Sequence, residues 1–383
     1  MKELSEKKRI EWIKRTVLCF FLIGILLSFK LWISDRNFPM TPLFDSLNSI
    51  SSSVNYVLFF CSIGLIISLF FIKNRWLYFS LLILFVFLIL QDQNRLQPWV
   101  YIYLLLLLSY FLFKEAKHQQ LNFMRIILIG VYFWSGMQKL NPQFNEVAFK
   151  SILSNLFGIT DPDLLENLLP FGYLLPVIET SAALLLCFPK TRKWGVYILI
   201  LMHLFILVYI SPLGINSNTT VYPWNVAMML FLLLVFYSDH SPIFTAVSFE
   251  DLKIRIITAL VWILPVLNFF GYWDHYLSFS LFSGKTDKYY IMIHTSEVSK
   301  INPEYCQYFT EIKNLPDKKL IDISAWSVKE LNVPFYPEMR TFRSVAKSFC
   351  SFGIEDGKVY FLEMDQENSD GNYVEFTCSD LSN

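Results

Sequence analysis

Ionisable residues inside apolar segments are the residues of this sequence that point most directly to chemistry. Lys139 ends the segment Tyr132-Phe-Trp-Ser-Gly136-Met-Gln-Lys139, in which Tyr132, Gly136 and Lys139 share one face of a helix. A lysine that is withdrawn from water can lose its proton and act as a general base. The alternative is a lysine whose long side chain reaches the lipid headgroups. Lys139 is therefore a candidate catalytic residue, with Tyr132 and Gly136 beside it in a pocket.

Glu179 and His203 are two further ionisable residues in apolar surroundings. Glu179 lies in Pro176-Val-Ile-Glu179-Thr-Ser, and His203 lies at the centre of the next apolar segment. Because consecutive spans run antiparallel, we expect both side chains near mid-membrane depth and within hydrogen-bond or one-water reach of each other. As candidate catalytic residues they would handle protons or bind a ligand. The alternative is a buried polar pair that fixes helix packing.

Two polar segments are predicted on the same side of the membrane as Lys139. They are Gln91-Asp92-Gln93-Asn94-Arg95-Leu96-Gln97 and the stretch from Gly214-Ile-Asn216 to Tyr222-Pro-Trp224-Asn225. Asp92 is the predicted partner of Lys139. Asn94, Arg95 and Asn225 are predicted to line the same outward-facing pocket. The alternative is that Asp92 and Arg95 pair with each other and cap a helix.

Membrane-spanning helices are the elements expected to position these residues. Of the 383 residues 54% are hydrophobic and only 17% are charged, against about a quarter charged in soluble domains. This composition excludes a free cytosolic protein, and the many aromatic residues exclude a disordered chain. A span needs about 20 mostly apolar residues. Nine segments are predicted to span: 16–33, 54–72, 76–90, 99–113, 123–140, 170–188, 194–210, 222–237 and 256–271.

Charge divides the chain into three parts. A basic tail, 1–15, precedes a transmembrane helical domain, 16–283, which has 28 charged residues in 268. Residues 284–383 hold 27 charged residues in 100 and form the third part. Apolar and polar residues alternate, as in strands, in segments 288–294, 358–364 and 373–378. Turns are predicted at Asn302-Pro303, Glu355-Asp356-Gly357 and Ser369-Asp370-Gly371. Segment 337–349 is predicted to be helical. The predicted fold class is an all-α polytopic membrane domain of about nine helices followed by a small extracytoplasmic α+β, mainly β, domain.

Cysteine and histidine usage gives two further predictions. Outside the cytoplasm two of Cys306, Cys350 and Cys378 are expected to form a disulfide, and the sequence does not choose the pair. The five histidines are scattered without ligand spacing, so no metal site is predicted. The net charge of zero shows no basic excess for nucleic acid.

Three segments resemble one known family. The segment from Tyr132 to Asn141 is similar to the Y-F-x-x-G-x-x-K-L motif of vitamin K-dependent γ-glutamyl carboxylase, a member of the HTTM membrane-domain group with more distant DoxX-like relatives. A second stretch of that family is similar to three short segments of this chain: Ile178-Glu179-Thr-Ser-Ala-Ala, Lys190-Thr-Arg192 and Met202-His203. Asp92-Gln-Asn94-Arg95 resembles its D-A-N-H turn. The resemblance extends over residues 90–235.

The resemblance implies a role for particular residues. The family's catalytic lysine, the base linked to oxygenation of vitamin K hydroquinone, falls on Lys139, and an acidic family residue falls on Glu179. The family's functional histidine falls on Arg95 and is absent here. This chain is about half the family's length, and the large outer domains that would bind a propeptide and a glutamate substrate are not evident.

Two functions of different classes follow as hypotheses. The first is an enzyme that uses a quinone or similar lipid-soluble cofactor in a pocket with Lys139, Asp92, Arg95 and Asn225, with Lys139 as the base. The second is a non-catalytic anchor or assembly subunit that contacts membrane lipid and docks a periplasmic protein on its outer domain. A proton-coupled transporter with Glu179 and His203 as relay is a third. The Lys-, Asn- and Ile-rich composition favours the inner membrane of a bacterium.

The topology is a testable prediction. Basic residues concentrate in the N-terminal tail and in the loops near residues 73, 114, 190 and 253, so that side is expected to be cytoplasmic. Reporter fusions after Lys193 and after Asn383 should therefore report opposite sides of the membrane. If both fusions report the same side, the nine-span arrangement with an outer C-terminal domain is wrong.

Overall fold

The computed structural model describes residues 5–245, 247–313, 315–364 and 373–381. Its chain divides into two compact units. The helical unit comprises Met1–Leu27, Phe60–Phe85 and Pro98–Gly284, and the sheet unit comprises Ser28–Phe59, Val86–Gln97 and Lys285–Asn383. The sheet unit thus contains the predicted outer domain together with two segments that the sequence assigned to the membrane part.

Long apolar runs fold as helices because each backbone group is then satisfied within its own segment. The helices are α1 Glu6–Leu27, α2 Ser52–Phe71, α3 Arg75–Gln91, α4 Pro98–Leu112, α5 Lys117–Gln138, α6 Pro162–Leu168, α7 Leu174–Cys187, α8 Arg192–Ile210, α9 Val221–Phe231 and α10 Leu252–Thr258. A 3₁₀ turn, Leu169–Tyr173, joins α6 to α7. A π-helical turn, Leu232–Tyr237, continues α9, and further helical turns extend α10 to Phe270.

Several of these helices can cross a membrane. By length and composition four segments qualify: Ser52–Phe71, Pro162–Cys187, Arg192–Ile210 and Leu252–Phe270. Three apolar helices are shorter: Arg75–Gln91, Pro98–Leu112 and Val221–Tyr237. Helices α1 and α5 have 22 residues each and carry charges in their first halves. Within the described residues, helical segments therefore occupy all nine predicted places, and the protein is a multi-pass membrane protein.

The helical unit departs from the sequence prediction at two places. Helix α1 already begins at Glu6, so most of the predicted tail, 1–15, is helical, and Arg9 and Lys14 are buried. The segment 144–156, predicted as a loop, contains two π-helical turns, Phe144–Phe149 and Ile152–Leu156. Both segments are rich in polar residues, which hid their helical character.

The sheet unit is built on five antiparallel strands in the order β2-β3-β1-β4-β5. The strands are β1 Lys288–His294, β2 Thr310–Ile312, β3 Leu315–Asp322, β4 Val359–Met364 and β5 Tyr373–Phe376. Alternate residues such as Tyr289, Ile291 and Phe361 are buried. Helices α11 Ile323–Leu331 and α12 Met339–Cys350 supply Trp326, Phe342 and Phe349 to the same core.

The sequence prediction found part of this unit. Strands β1, β4 and β5 and helix α12 lie where alternation and amphipathicity placed them. Strands β2 and β3 and helix α11 were missed, because β2 is short and Lys318 and Lys319 interrupt the apolar pattern of β3. The predicted turn at Ser369-Asp370-Gly371 lies outside the described residues.

The disulfide left open by the sequence joins Cys350 at the end of α12 to Cys378, and Cys306 is free and exposed. The bond lies next to β5, one of the two edge strands of the sheet. It links two residues 28 positions apart, so it lowers the conformational entropy of the unfolded chain.

Loss of this disulfide should destabilise the sheet unit. Cys350→Ala is expected to lower the free energy of unfolding by about 3.6 kcal/mol, as closure of a loop of this length predicts. Chemical unfolding of the full chain in detergent, followed by tryptophan fluorescence, measures the change. Cys306→Ala is the matched control and should unfold like the wild type; equal effects of the two substitutions would contradict the structure.

Candidate functional site

One face of α5 carries the residues that the sequence singled out. Tyr132, Ser135, Gly136 and Lys139 follow the i, i+3, i+4, i+7 spacing of a single helix face. This face packs against α7, which carries Glu179. A Cβ atom on Gly136 would lie 2.2 Å from Thr180 Oγ1 and 2.8 Å from the Thr180 backbone nitrogen. Only glycine allows this approach, as predicted for a neighbouring helix.

The close approach pairs Lys139 with Glu179. Lys139 Nζ lies 2.7 Å from Glu179 Oε2 and 3.0 Å from Ser135 Oγ. The side chains are 11% and 5% exposed, so both charges are largely withdrawn from solvent. Lys139 and Glu179 thus form a largely buried ion pair, to which the Ser135 hydroxyl adds a second contact.

The expectation that Asp92 is the partner of Lys139 is wrong, because Glu179 takes that place. Depth in the membrane was the only guide to the prediction. The structure shows that contact between neighbouring helices decides the pairing. Glu179 is on α7, the helix that packs closely against Gly136, whereas Asp92 pairs with a different cation, Arg36.

A second polar chain runs through His203. Tyr132 Oη lies 2.8 Å from His203 Nε2, and His203 Nδ1 lies 2.7 Å from Asn225 Oδ1. Asn225 Nδ2 donates to the Val221 carbonyl at 2.8 Å. Because that carbonyl can only accept, Asn225 Oδ1 faces His203 as an acceptor. His203 therefore carries its proton on Nδ1, and Tyr132 donates to Nε2.

Within the described residues, Glu179 and His203 each hydrogen-bond to other partners and not directly to each other; that they lie within one-water reach stays a prediction. The two groups occupy adjacent helices, α7 and α8, which pack closely at Gly195. The histidine chain ends at the carbonyl of Val221, which cannot pass a proton onward. The hydrogen bonds of Tyr132, His203 and Asn225 thus connect α5, α8 and α9. They provide no group beyond Asn225 that could accept and pass on a proton.

Asp92, Asn94 and Arg95 form a separate cluster within the sheet unit, and all three are fully buried. Asp92 caps a short 3₁₀ turn by accepting from the Asn94 backbone N–H at 3.2 Å, and it pairs with Arg36 at 2.5 Å. Burial alone would raise the pKa of the Asp92 carboxyl, but the charges of Arg36 and Arg95 lower it below its usual value. Asp92 therefore both caps this turn and pairs with arginine.

The same turn binds the C-terminal domain within the sheet unit. The Tyr336 backbone N–H donates to Asn94 Oδ1 at 3.0 Å, and Gln97 Nε2 donates to the Pro334 carbonyl at 2.9 Å. Arg340 Nε donates to Gln93 Oε1 at 2.6 Å. The residues predicted for one pocket thus belong to different units: Lys139 and Asn225 to the helical unit, and Asp92, Asn94 and Arg95 to the sheet unit.

The sequence reasoning missed a third cluster, here called the arginine node: Arg9, Arg125, Arg192 and Asp239. Arg9 Nη1 lies 2.7 Å from Asp239 Oδ2, Arg125 Nη2 bonds the same oxygen, and Arg192 Nη1 donates to the Asp239 carbonyl at 2.8 Å. All four residues are buried. Burial would raise the pKa of Asp239, but the Arg125 charge and other contacts lower it.

One signal in the sequence points to this node. Arg9 and Arg125 entered the sequence analysis only as basic residues that set orientation, and Arg192 also as part of the resembling segment Lys190-Thr-Arg192. Asp239 follows directly on an apolar segment that holds no other charge, and this isolated acid is the signal. An acidic residue at the end of an apolar helix needs a buried cation. Arginine is the usual choice, because its guanidinium group has further N–H donors that bond to backbone carbonyls.

The Lys139–Glu179 pair gives a test of this geometry. Lys139→Met leaves the Glu179 carboxylate buried without a cation, and Glu179→Leu leaves the ammonium without an anion. Each should reduce stability by about 3 kcal/mol. The double variant should recover most of this loss, because no charge remains unpaired. Thermal unfolding in detergent, monitored by fluorescence-detected size exclusion, measures the cycle.

Two outcomes would contradict the pairing. If both single variants unfold at the wild-type temperature, Lys139 reaches the headgroups instead. If the losses of the single variants add in the double variant, the two side chains do not interact.

Comparison with known families corrects the resemblance drawn from the sequence. The family model described as methylamine utilisation protein MauE matches residues 117–221, so the assignment to the vitamin K-dependent carboxylase and HTTM group is wrong. In this chain Gly136, Lys139 and Glu179 of those motifs form a close helix contact and a buried ion pair. Searches of the curated proteins and of the solved structures find no match. The matched segment runs from the start of α5 to the start of α9 and includes Lys139, Glu179 and His203; over this segment the membrane protein is similar to the MauE family.

Proposed function

We propose that this protein is a non-catalytic membrane assembly protein, in which the helices anchor the chain and the sheet unit docks an extracytoplasmic protein. The observation that carries this proposal is the 2.7 Å ion pair of Lys139 with Glu179. A general base must reach the proton that it abstracts, whereas the Lys139 amine is directed at Glu179 Oε2 and Ser135 Oγ. The residue that the enzymatic hypothesis requires as base is thus occupied.

Most polar atoms of the other expected pocket residues are also occupied, although Arg95 Nη2 has no partner within the described residues. Asp92 accepts from Thr41, Asn94 and Arg36, and Arg95 donates to the carbonyls of Leu31 and Leu88. Asn225 is used by His203. A quinone-type cofactor would have to displace these contacts, each of which satisfies a buried polar group. These contacts favour a structural role for the polar clusters.

The construction of the sheet unit supports a docking role. Its C-terminal domain is bonded to the segments 28–59 and 86–97 by several long-range contacts. Lys30 pairs with Glu330 at 3.0 Å, and Phe38 packs on Trp326 with ring centroids 4.7 Å apart. A domain held in this way keeps a fixed orientation toward the chain segments that enter it, which lowers the entropy lost when a partner binds.

The match to the MauE family contributes the membrane location to this proposal. Its printed description is methylamine utilisation protein, so the docking role is argued from the sheet unit alone. The inner membrane of a bacterium, with the N-terminus in the cytoplasm and the sheet unit outside, is part of the proposal.

Photo-crosslinking in living cells tests it. A photoreactive amino acid is placed at Leu315, at the start of β3, or at Tyr373, on the edge strand β5; these residues are 40% and 59% exposed. The matched control position is Leu201 on α8, which is 68% exposed. A discrete protein adduct is expected from the sheet positions and none from Leu201.

Two results would decide against this function. The absence of any protein adduct from exposed positions of the sheet unit would remove the docking role. The variant Lys139→Met/Glu179→Leu, once shown to fold, should give the same adduct as the wild type, because the ion pair has no catalytic part. Loss of the adduct only in that variant would show that the buried pair takes part in the function.

A further inference from the structure

A basic cleft of about 630 Å³ lies within the helical unit, between the start of α1, the turn from α2 to α3 and the turn from α4 to α5. The lining residues are all described by the structure, and among them Glu11 is the single acid. The basic lining residues are Lys7, Lys14, Lys73, Arg75, Lys114 and Lys117. Three separate segments of the chain thus bring their cations to one cavity.

Most of this positive charge is uncompensated. Glu11 accepts from Lys14 at 3.0 Å and from Arg15 at 3.3 Å. Lys7, Lys73 and Lys114 have no carboxylate partner in the described part of the chain. Like charges that share a cavity repel one another. An anion in the cleft would relieve that repulsion.

Aromatic residues indicate the depth of the cleft. Trp76 is 54% exposed, and the Arg75 guanidinium lies 5.1 Å from its ring. The rings of Tyr78 and Tyr110 stack with centroids 5.3 Å apart. Aromatic rings beside lysine and arginine are typical of the boundary between lipid and water. The cleft is therefore at headgroup level, which favours a lipid anion over a dissolved one.

A buried acceptor adds a requirement on the ligand. Gln120 lines the cleft and is 1% exposed. Its Nε2 donates to Ser109 Oγ at 3.3 Å, and that hydroxyl donates to the Leu106 carbonyl at 2.7 Å. The amide orientation is thereby fixed, and Gln120 Oε1 has no donor within the described residues. A ligand that carries a hydroxyl beside its anionic group would supply one.

We infer that this cleft binds the headgroup of an anionic phospholipid, with the phosphodiester among the basic side chains and a headgroup hydroxyl donating to Gln120. Phosphatidylglycerol has this chemistry. Clusters of lysine and arginine at the membrane surface bind such lipids, with a contribution from each charge. The site is independent of the docking role of the sheet unit.

Native mass spectrometry of the full chain in mild detergent tests the inference. The wild type should retain one phosphatidylglycerol in preference to phosphatidylcholine. Substitution of three cleft cations, Lys73→Gln, Arg75→Gln and Lys114→Gln, should weaken phosphatidylglycerol binding roughly 100-fold, about fivefold for each charge removed. The matched control carries Lys190→Gln, Lys193→Gln and Arg255→Gln, exposed residues outside the cleft, and should bind like the wild type.

A second lipid isolates the contribution of Gln120. Phosphatidylmethanol has the same phosphodiester charge and no headgroup hydroxyl, so the wild type should bind it several-fold more weakly than phosphatidylglycerol. Gln120→Leu should abolish that difference. This comparison of two lipids on the wild type remains informative even if Gln120→Leu does not fold.

Three results would overturn the inference. They are equal retention of phosphatidylcholine and phosphatidylglycerol by the wild type, equal losses in the cleft and control variants, and release of phosphatidylglycerol by millimolar inorganic phosphate. The last result would show that the cleft takes a dissolved anion instead of a lipid.

Discussion

An ionised carboxylate that is withdrawn from water must have cations close to it, and around Asp239 this requirement joins four helical segments. Arg9 of α1, Arg125 of α5 and Arg192 of α8 all reach the residue that follows the π-helical extension of α9. Three cations exceed one anion, so their remaining N–H groups donate to carbonyls at the ends of α7 and of that extension. Helix C-termini are negative ends of dipoles and stabilise this excess charge. Without Asp239, three buried guanidinium groups would repel one another, and these helix ends would separate.

Two glycines set the packing of the next layer of helices. A Cβ atom at Gly136 would lie 2.2 Å from Thr180 Oγ1, and one at Gly195 would lie 2.7 Å from the Ala182 carbonyl. Helix α7 therefore packs closely against both α5 and α8. The Lys139–Glu179 bond follows from the first contact, because a wider spacing would hold the carboxylate away from the ammonium. The smallest side chains thus determine which charges meet.

Sequence reasoning predicted the helices well because a span must be both long and apolar, and both properties are visible in a linear pattern. It also predicted β1, β4 and β5, whose alternation is regular. It chose the residues Lys139, Glu179, His203 and Asn225, which do lie in two polar clusters, but it paired them wrongly. Depth along a helix can be counted from the sequence, whereas the direction of a side chain around the bundle depends on contacts between distant segments. The order of the helices around the bundle determines which side chains face each other, and this order is not visible in the sequence.

That limit also explains why the polar residues of this chain resemble a catalytic site when the sequence is read alone. A lysine, a glutamate and a histidine in apolar helices have the same appearance whether they work on a substrate or hold helices together. The difference lies in the atoms left free after folding. Here the Lys139 ammonium is bonded to a carboxylate, and both nitrogens of His203 are engaged. By contrast, Lys7, Lys73 and Lys114 in the basic cleft lack a carboxylate partner, and Gln120 Oε1 lacks a donor, within the described residues. Other buried atoms such as Arg95 Nη2 also lack a partner there. Unmet bonding capacity that lines a cavity, and not the polar residue type itself, marks the basic cleft as a place for a ligand.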